Sequence, residues 1–340
     1  MRAAVYYNNK DVRIEEVPVP KINDGELLVR IEASGVCGSD VMEWYRIKKA
    51  PLVLGHEIAG VVVEAGKGVT RFKPGDRVTA AHHVPCNTCR FCLRGHHSVC
   101  DTLRATNFHP GGFAEYARIP AINVDRGVFL LPLSMSFEEG SFAEPLGCVV
   151  RGMRTARMEA GSVVMVIGSG LSGLLYIKLA HALGASKIIA ADISDFRLRA
   201  AKSFGADHVF RADADVPGLA AEAAGRKADI VIICAAADQA VGQGIKGVER
   251  GGTILLFAPK EPGALFPMPL YDLWRDNITI VNSYASPPAD TLAALDLIES
   301  KRVTVTDMIT HRLPLGEAQL GFRLVSAATA SLKVIIEPQR

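Results

Sequence analysis

The segment at residues 162–192 limits the possible folds of this chain more than any other. A run of β-type residues at 162–167 leads directly into the motif Gly168-Ser169-Gly170-Leu171-Ser172-Gly173, then an apolar helical stretch and a second strand. In such a unit the first glycine permits the tight turn, the second lets backbone approach a pyrophosphate, and the third lets the helix pack against the strand. The helix N-terminus offers N–H groups to phosphates. The expected cofactor-binding residues are Gly168, Gly170, Leu171 and Gly173.

The second strand ends in Asp192, nineteen residues beyond Gly173. A carboxylate at this position accepts hydrogen bonds from the hydroxyls of the adenine ribose and repels a 2′-phosphate. Asp192 therefore favours NAD over NADP. Arg197 is a cation close to the same position, so it belongs to the expected cofactor site and NADP stays open as the less favoured cofactor.

Later apolar runs extend this pattern into a sheet. They occupy residues 208–210, 229–234, 252–257 and 278–281, and alanine-rich helical segments separate them. Strands that alternate with helices in this way predict a doubly wound parallel sheet. The two last runs could pair edge to edge with a second copy of the chain across a two-fold axis, an expectation that comes from a family resemblance described below.

Four cysteines within fifteen residues predict a zinc site. Cys86, Cys89, Cys92 and Cys100 have the spacing C-x2-C-x2-C-x7-C, which places four thiolates around one ion. Four protein ligands leave no open coordination position, so this zinc is structural and holds a lobe at about 82–101. Disulfides are disfavoured because no signal peptide precedes the chain, which indicates the cytoplasm. An iron–sulfur cluster is disfavoured because no proline follows the fourth cysteine.

A second group of metal-binding residue types lies in the N-terminal part. Short β-branched runs at 28–31, 58–63 and 77–79 are separated by glycine turns, a pattern that predicts an irregular β-barrel. Cys37, His56 and Glu57 supply one thiol, one imidazole and one carboxylate, the kind of set that holds a catalytic zinc with one open position. Each residue alone has an ordinary structural explanation, but the four-cysteine lobe strengthens the metal interpretation.

The composition excludes several classes of partner. Hydrophobic residues make up 49% of the chain and its net charge is +2, so a large core is available and no nucleic-acid-binding face is expected. The apolar stretch at 160–177 contains four glycines and ends at Lys178, which makes it too short for a membrane span.

In combination these motifs resemble the zinc-dependent medium-chain dehydrogenases, in the branch of alcohol, polyol and threonine dehydrogenases. The matching segments lie at 37–40, 55–60, 74–78, 86–100, 112–116, 144–146 and 168–173. The resemblance implies a GroES-like irregular β-barrel catalytic domain at 1–146 and 286–340 and a Rossmann NAD-binding domain at 147–285. It also implies a homodimer or homotetramer, with the active site in the cleft between domains.

The resemblance assigns roles to individual residues. Cys37, His56 and Glu57 are the implied ligands of a catalytic zinc, and Glu144 takes or approaches the fourth position, so two zinc ions per chain are expected. Ser39 takes the proton of the alcohol. Related sequences often carry a relay histidine where this chain has Met42, whose thioether cannot carry a proton. Water with the cofactor ribose, or Glu43, would then complete the proton path.

The predicted activity is reversible oxidation of an alcohol to a carbonyl, with hydride transfer to nicotinamide. A polyol, a diol, a hydroxy amino acid and a simple secondary alcohol all remain possible substrates, and residues 43–46 and 107–109 are expected to line the pocket. Two alternatives stay open. One is a zinc-free quinone or enoyl reductase of the same fold, which Cys37, His56 and Glu57 disfavour. The other is a non-catalytic NAD-binding protein with a structural or regulatory role.

Overall fold

The computed structural model describes all 340 residues, and the chain divides into two compact units. The first consists of Met1–Gly147 together with Ala285–Arg340, and the second is Cys148–Tyr284. The first unit is therefore discontinuous in sequence. No helix combines the length and the apolar character needed to cross a bilayer.

The strands, in chain order, are β1 (Arg2–Asn8), β2 (Asp11–Glu16), β3 (Leu27–Gly35), β4 (Leu52–Val53), β5 (Glu57–Ala65), β6 (Arg77–Ala80), β7 (Tyr116–Ile119), β8 (Val128–Leu130), β9 (Val163–Ile167), β10 (Lys187–Asp192), β11 (His208–Arg211), β12 (Ala228–Ile233), β13 (Val248–Leu256), β14 (Thr279–Asn282), β15 (Ile309–Pro314) and β16 (Lys333–Glu337). The α-helices are α1 (Glu43–Arg46), α2 (Asp101–Ala105), α3 (Ala121–Gly127), α4 (Phe137–Ser141), α5 (Ala143–Thr155), α6 (Leu171–Ala182), α7 (Asp195–Ser203), α8 (Val216–Ala224), α9 (Asp238–Gly247), α10 (Leu270–Arg275), α11 (Pro288–Glu299) and α12 (Ala318–Ala327).

The first unit contains a seven-stranded sheet with the order β15-β16-β3-β5-β6-β8, in which β7 also pairs with β3, and a three-stranded sheet with the order β2-β1-β4. Alternate residues of β3, such as Leu27, Val29 and Ile31, point into one apolar core, as the two-residue period of a strand requires. The C-terminal strand β16 is antiparallel to β3 and parallel to β15. The predicted irregular β-barrel is confirmed, and its sheet includes a strand from the end of the chain.

Six parallel strands form the second unit, in the order β11-β10-β9-β12-β13-β14. Every residue of β9 is buried, as expected for a strand covered by helices on both faces. The strand order reverses between β9 and β12, where doubly wound folds bind their ligands. The predicted doubly wound sheet is confirmed.

The expectation about edge pairing is half wrong. Both neighbours of β13 are strands of its own chain, namely β12 and β14. Its backbone hydrogen bonds are therefore used within the sheet, and it has no free side for a second copy. Of the two late strands, only β14 lies at the edge.

Candidate metal and nucleotide sites

The adjacent ends of two barrel strands bring the expected catalytic-zinc residues together. Cys37 follows β3 by two residues, Glu57 is the first residue of β5, and Gly35 pairs directly with Glu57 across the two strands. One ligand atom each from Cys37, His56 and Glu57 lies within 4.8 Å of the others. Three potential ligands of different chemistry thus converge, although they come from separate segments of sequence.

Hydrogen bonds hold Cys37 in place, and a buried carboxylate lies against His56. The Cys37 sulfur accepts hydrogen bonds from the backbone N–H and the hydroxyl of Ser39, both at 3.4 Å. Asp40 is fully buried; its carboxylate accepts the N–H of Cys37 at 3.0 Å and lies 3.4 Å from Nδ1 of His56. Burial alone would lower the pKa of His56, but the Asp40 carboxylate and the Cys37 thiol raise it well above its ordinary value. A carboxylate behind an imidazole orients the ring and leaves Nε2 for a metal ion.

Arg46 makes contacts that the sequence did not predict. Its Nε donates to the carbonyl oxygen of Ser39 at 2.9 Å, and its Nη2 donates to Oγ of Ser39 at 3.2 Å. The same nitrogen lies 3.5 Å from Asp40, and the guanidinium stacks 4.7 Å from the centre of the Tyr45 ring. The Arg46 side chain is only 14% exposed. From the sequence, residues 43–46 are expected only to line the pocket, because the spacing of residue types does not identify the hydrogen bond between Arg46 and Ser39.

Glu144 lies apart from the three converging residues and near a histidine that the sequence analysis overlooked. It is buried in the first turn of α5, and its Oε1 is 3.9 Å from Nδ1 of His82. The His82 ring is 4.7 Å from that of His56 and 3.8 Å from that of His83. Burial and nearby positive charge lower the pKa of His82 well below its usual value and that of His83 to about 4. Both rings are therefore neutral at pH 7. The sequence offers one signal for these two residues, a pair of adjacent histidines two residues after the end of β6.

Glu57 has a buried counter-ion from the other end of the chain. Its Oε2 forms an ion pair with Nζ of Lys333, and both side chains are fully buried. The second oxygen, Oε1, is buried and has no hydrogen-bond partner. A buried carboxylate oxygen without a partner is costly unless it meets an ion or a donor. The donor set of Cys37, His56 and Glu57 therefore fits a divalent metal ion.

The four cysteines of the lobe also fit a metal ion. Their sulfurs lie within 4.8 Å of one another, with separations of 3.5 Å (Cys89 and Cys92), 3.6 Å (Cys86 and Cys100) and 4.0 Å (Cys86 and Cys92). A tetrahedral zinc with Zn–S distances of about 2.3 Å requires sulfur separations of about 3.8 Å, whereas a disulfide requires about 2 Å. Hydrogen bonds from Thr88 lower the pKa of Cys86 to about 5, which favours the thiolate. All four cysteines are free thiols.

The glycine motif has the backbone geometry that a dinucleotide needs. Gly168 directly follows β9 with φ of +97°, and Gly170 and Leu171 begin α6. A Cβ at Gly173 would collide with the carbonyl oxygen of Gly168, so only glycine lets the helix pack this closely. The four expected residues of the motif therefore lie in the turn after β9 (Gly168 and Gly170) and in the first turn of α6 (Leu171 and Gly173).

Asp192 lies at the end of β10, next to this turn. Its Oδ2 accepts the N–H of Ser169 at 2.7 Å, and its Oδ1 accepts the N–H of Ser194 at 2.8 Å. Nη1 of Arg197 is 3.8 Å from Oδ2. The two backbone donors fix the carboxylate beside the glycine turn, and the guanidinium of Arg197 is adjacent to it.

Matches to known dehydrogenases extend along almost the whole chain. The family model of the alcohol dehydrogenase GroES-like domain matches residues 23–127, and that of the zinc-binding dehydrogenases matches residues 173–300. The chain is 34% identical to L-threonine 3-dehydrogenase of Bacillus velezensis over 99% of each chain. It is 32% identical to sorbitol dehydrogenase of Gallus gallus over 94% of this chain and 92% of the other. A zinc-binding dehydrogenase from Sinorhizobium meliloti, solved bound to NADP, superposes with a TM-score of 0.88 at 29% identity and 99% coverage of both chains.

Proposed function

Because the chain belongs to the zinc-dependent medium-chain alcohol dehydrogenase family, we propose that it oxidises an alcohol reversibly to a carbonyl and passes the hydride to NAD. The observation that carries this proposal is the convergence of Cys37, His56 and Glu57 within 4.8 Å. The first unit then has the catalytic role, and the second, with its glycine turn and Asp192, binds the dinucleotide.

The metal would be held by Cys37, His56 and Glu57, and Glu144, which lies apart from these three beside His82, is the expected residue for the fourth position. A zinc ion bound there supplies Lewis acidity, which lowers the pKa of an alcohol toward neutrality. Asp40 orients His56 for this role through the contact at Nδ1. Neutral His82, 4.7 Å from the His56 ring, offers a hydrogen-bonding group to a substrate without adding positive charge.

Ser39 relays the proton of the alcohol: its hydroxyl gives its own proton to the next group of the path and accepts the proton of the alcohol in exchange. Oγ also accepts a hydrogen bond from Arg46, so the guanidinium stabilises the negative charge that develops on Oγ as the hydroxyl proton leaves. Arg46 itself cannot accept the proton, because a guanidinium stays protonated in proteins. The path from Ser39 to solvent therefore continues through water and the cofactor ribose or through Glu43, since Met42 cannot carry it.

The proposed cofactor is NAD. Asp192 is held beside the glycine turn by two backbone donors, and its negative charge opposes a 2′-phosphate there. Arg197 lies 3.8 Å from Asp192 and is already balanced by that carboxylate. The similar structure bound to NADP makes NADP the necessary comparison in any assay.

The proposed substrate is a secondary alcohol with a second polar group, such as a polyol, a diol or a hydroxy amino acid. The named relatives act on threonine and sorbitol, which share this feature. In this chain Nδ1 of His82 is buried near the metal ligands and has no hydrogen-bond partner, which suits a substrate with more than one hydrogen-bonding group. A simple secondary alcohol would leave this nitrogen unpaired.

The proposed assembly is a homodimer or homotetramer in which β14 pairs with β14 of a second copy. This strand is the edge of the six-stranded sheet. The neighbouring helix α10 exposes large apolar side chains, namely Leu270, Tyr271 and Trp274. Light scattering after gel filtration tests the proposal: Trp274→Glu should shift the native protein toward monomer, and a monomeric native protein would contradict it.

The decisive experiment combines metal analysis with a substrate panel. Purified protein should contain about two zinc ions per chain and reduce NAD with one or more polyols, diols or hydroxy amino acids, as measured by NADH absorbance. One zinc per chain with no turnover would support a non-catalytic protein that keeps only the lobe metal. Activity that survives complete loss of zinc from the site of Cys37 would refute the mechanism.

A further inference from the structure

Lys333 is a fully buried lysine whose charge is matched by fully buried Glu57. Lysine is almost never fully buried without a partner, and bringing an ion pair into the interior costs several kcal/mol of desolvation per ion. A buried ion pair need not stabilise the fold, because an apolar pair of similar volume often makes a protein equally stable. Fold stability alone therefore does not explain why Lys333 and Glu57 are charged.

Strand register explains how the two charges meet. Lys333 begins β16, Glu57 begins β5, and β3 lies between these strands and ends at Gly35. Gly35 pairs with Glu57 on one side and with Ile335 on the other. A Cβ at Gly35 would lie 2.6 Å from both Cε and Nζ of Lys333 and would collide with Oε2 of Glu57. The ion pair thus occupies the space that the Cβ of any other residue at position 35 would take.

We propose that Lys333 is a positioning residue for the metal site and that Gly35 makes room for it. The ammonium group holds Oε2 of Glu57, which leaves Oε1, buried and without a hydrogen-bond partner, as the oxygen that binds the metal. Lys333 also balances the Glu57 charge before a metal arrives, so the carboxylate need not rotate to reach its binding position. This inference rests on the proposed function, because it assigns Glu57 to the metal.

The contacts of Lys333 leave it little freedom. Its Nζ lies 5.4 Å from the centre of the Phe142 ring and forms the ion pair with the carboxylate of Glu57, and the Lys333 side chain is fully buried. A lysine enclosed in this way fixes its partner more firmly than an exposed lysine, which loses side-chain entropy on pairing. We therefore expect the effect on metal affinity to be in the range of other partners that orient metal ligands, about 10- to 100-fold.

Gly35→Ala is the sharpest test because it keeps both charges in the chain. The three atoms nearest to the new methyl group belong to the Glu57 and Lys333 side chains, and Gly35 does not have a positive φ. The backbone can therefore stay in place while the ion pair is forced to move. Gly316→Ala is the matched control in the same unit, because a Cβ there meets nothing within 4 Å.

The measurement is metal affinity in the full-length protein, by titration of the zinc-loaded form with a chelator and by the visible absorption of the cobalt-exchanged form. Gly35→Ala and Lys333→Met should release one metal at a chelator concentration about 10- to 100-fold lower, and their cobalt absorption bands should shift. The metal of the four-cysteine lobe should be released as in the native protein and serves as an internal reference. Gly316→Ala should behave as the native protein does.

A double-mutant comparison separates positioning from general packing. If Lys333 acts through Glu57, adding Lys333→Met to Glu57→Gln should change metal affinity no further. Native affinity and an unshifted cobalt spectrum in Gly35→Ala would overturn the inference while leaving the proposed function intact. A native protein that binds only the lobe metal would instead refute the proposed function itself.

Discussion

Replacement of Arg46 by methionine should slow alcohol oxidation without removing the metal. Arg46→Met deletes the hydrogen bond from Nη2 to Oγ of Ser39 but keeps much of the side-chain volume over the Tyr45 ring. A hydrogen bond from a charged donor contributes about 1.5–3 kcal/mol. The separation of 3.2 Å is long and the side chain is 14% exposed, so we expect the lower end of this range. Since 1.36 kcal/mol corresponds to a factor of ten, kcat/KM should fall roughly tenfold.

The assay follows NADH absorbance across a pH series, with zinc content measured on the same samples. Because negative charge develops on Ser39 only during proton transfer, kcat and kcat/KM should fall together and KM should change little. Arg77→Met is the matched control. Arg77 also donates to two acceptors, the carbonyls of Pro132 and Met135, and stacks 4.4 Å from the centre of the Phe137 ring. None of these three contacts is with a residue of the metal site.

Two results would refute the reasoning about Arg46. The first is an unchanged kcat and pH profile in Arg46→Met. The second is an equal loss of kcat in Arg46→Met and Arg77→Met, which would show that the effect comes from a general loss of stability. A rise in KM alone would place Arg46 in substrate binding instead of proton transfer.

Cys92, Asp192 and His83 can each be tested by one substitution. Cys92→Ser should remove one of two zinc ions and speed proteolytic cleavage within residues 82–101, whereas unchanged metal content would rule out four-cysteine ligation. Asp192→Asn keeps an acceptor for the N–H of Ser169 but removes the charge, so the preference for NAD over NADP, as a ratio of kcat/KM values, should fall about tenfold or more. His83 has its folded pKa lowered to about 4, so between pH 6.5 and 4 the unfolded state binds more protons, and acidification should reduce the free energy of unfolding by up to about 1.4 kcal/mol per pH unit. His83→Phe should flatten this dependence in urea titrations, and an unchanged slope would contradict the pKa assignment.

Local spacing explains what the sequence could predict. The glycine turn and the four-cysteine lobe each form within a short segment, so residue types and intervals were sufficient to identify them. The strands β9 and β10 were equally clear because buried parallel strands are continuous apolar runs.

Long-range pairing explains what the sequence could not predict. Lys333 begins a strand whose sequence does not distinguish a buried lysine from an exposed one, and its burial depends on Glu57, 276 residues away. Arg46 meets Ser39 because a short helix turns back toward the loop after Cys37, and no motif marks that turn. Likewise, the apolar run of β13 did not reveal that strands of the same chain cover both its sides. For Lys333 and β13 the register between distant strands decides the contact, and for Arg46 the path of a local turn decides it. Periodicity within one segment carries no information about either.

The position of β16 inside the barrel sheet has a consequence for biosynthesis. The ribosome completes β3 and β5, with Glu57 already in place, long before it reaches Lys333–Glu337. Until then β3 lacks one of its neighbouring strands and Glu57 lacks its counter-ion, whereas Cys148–Tyr284 is continuous and can fold as soon as it emerges. On the proposed metal assignment, a nascent chain that stops before Lys333 already holds all four cysteines of the lobe but lacks the counter-ion of Glu57. We therefore expect the lobe to load zinc first and the Cys37 site to load after the last strand has been synthesised.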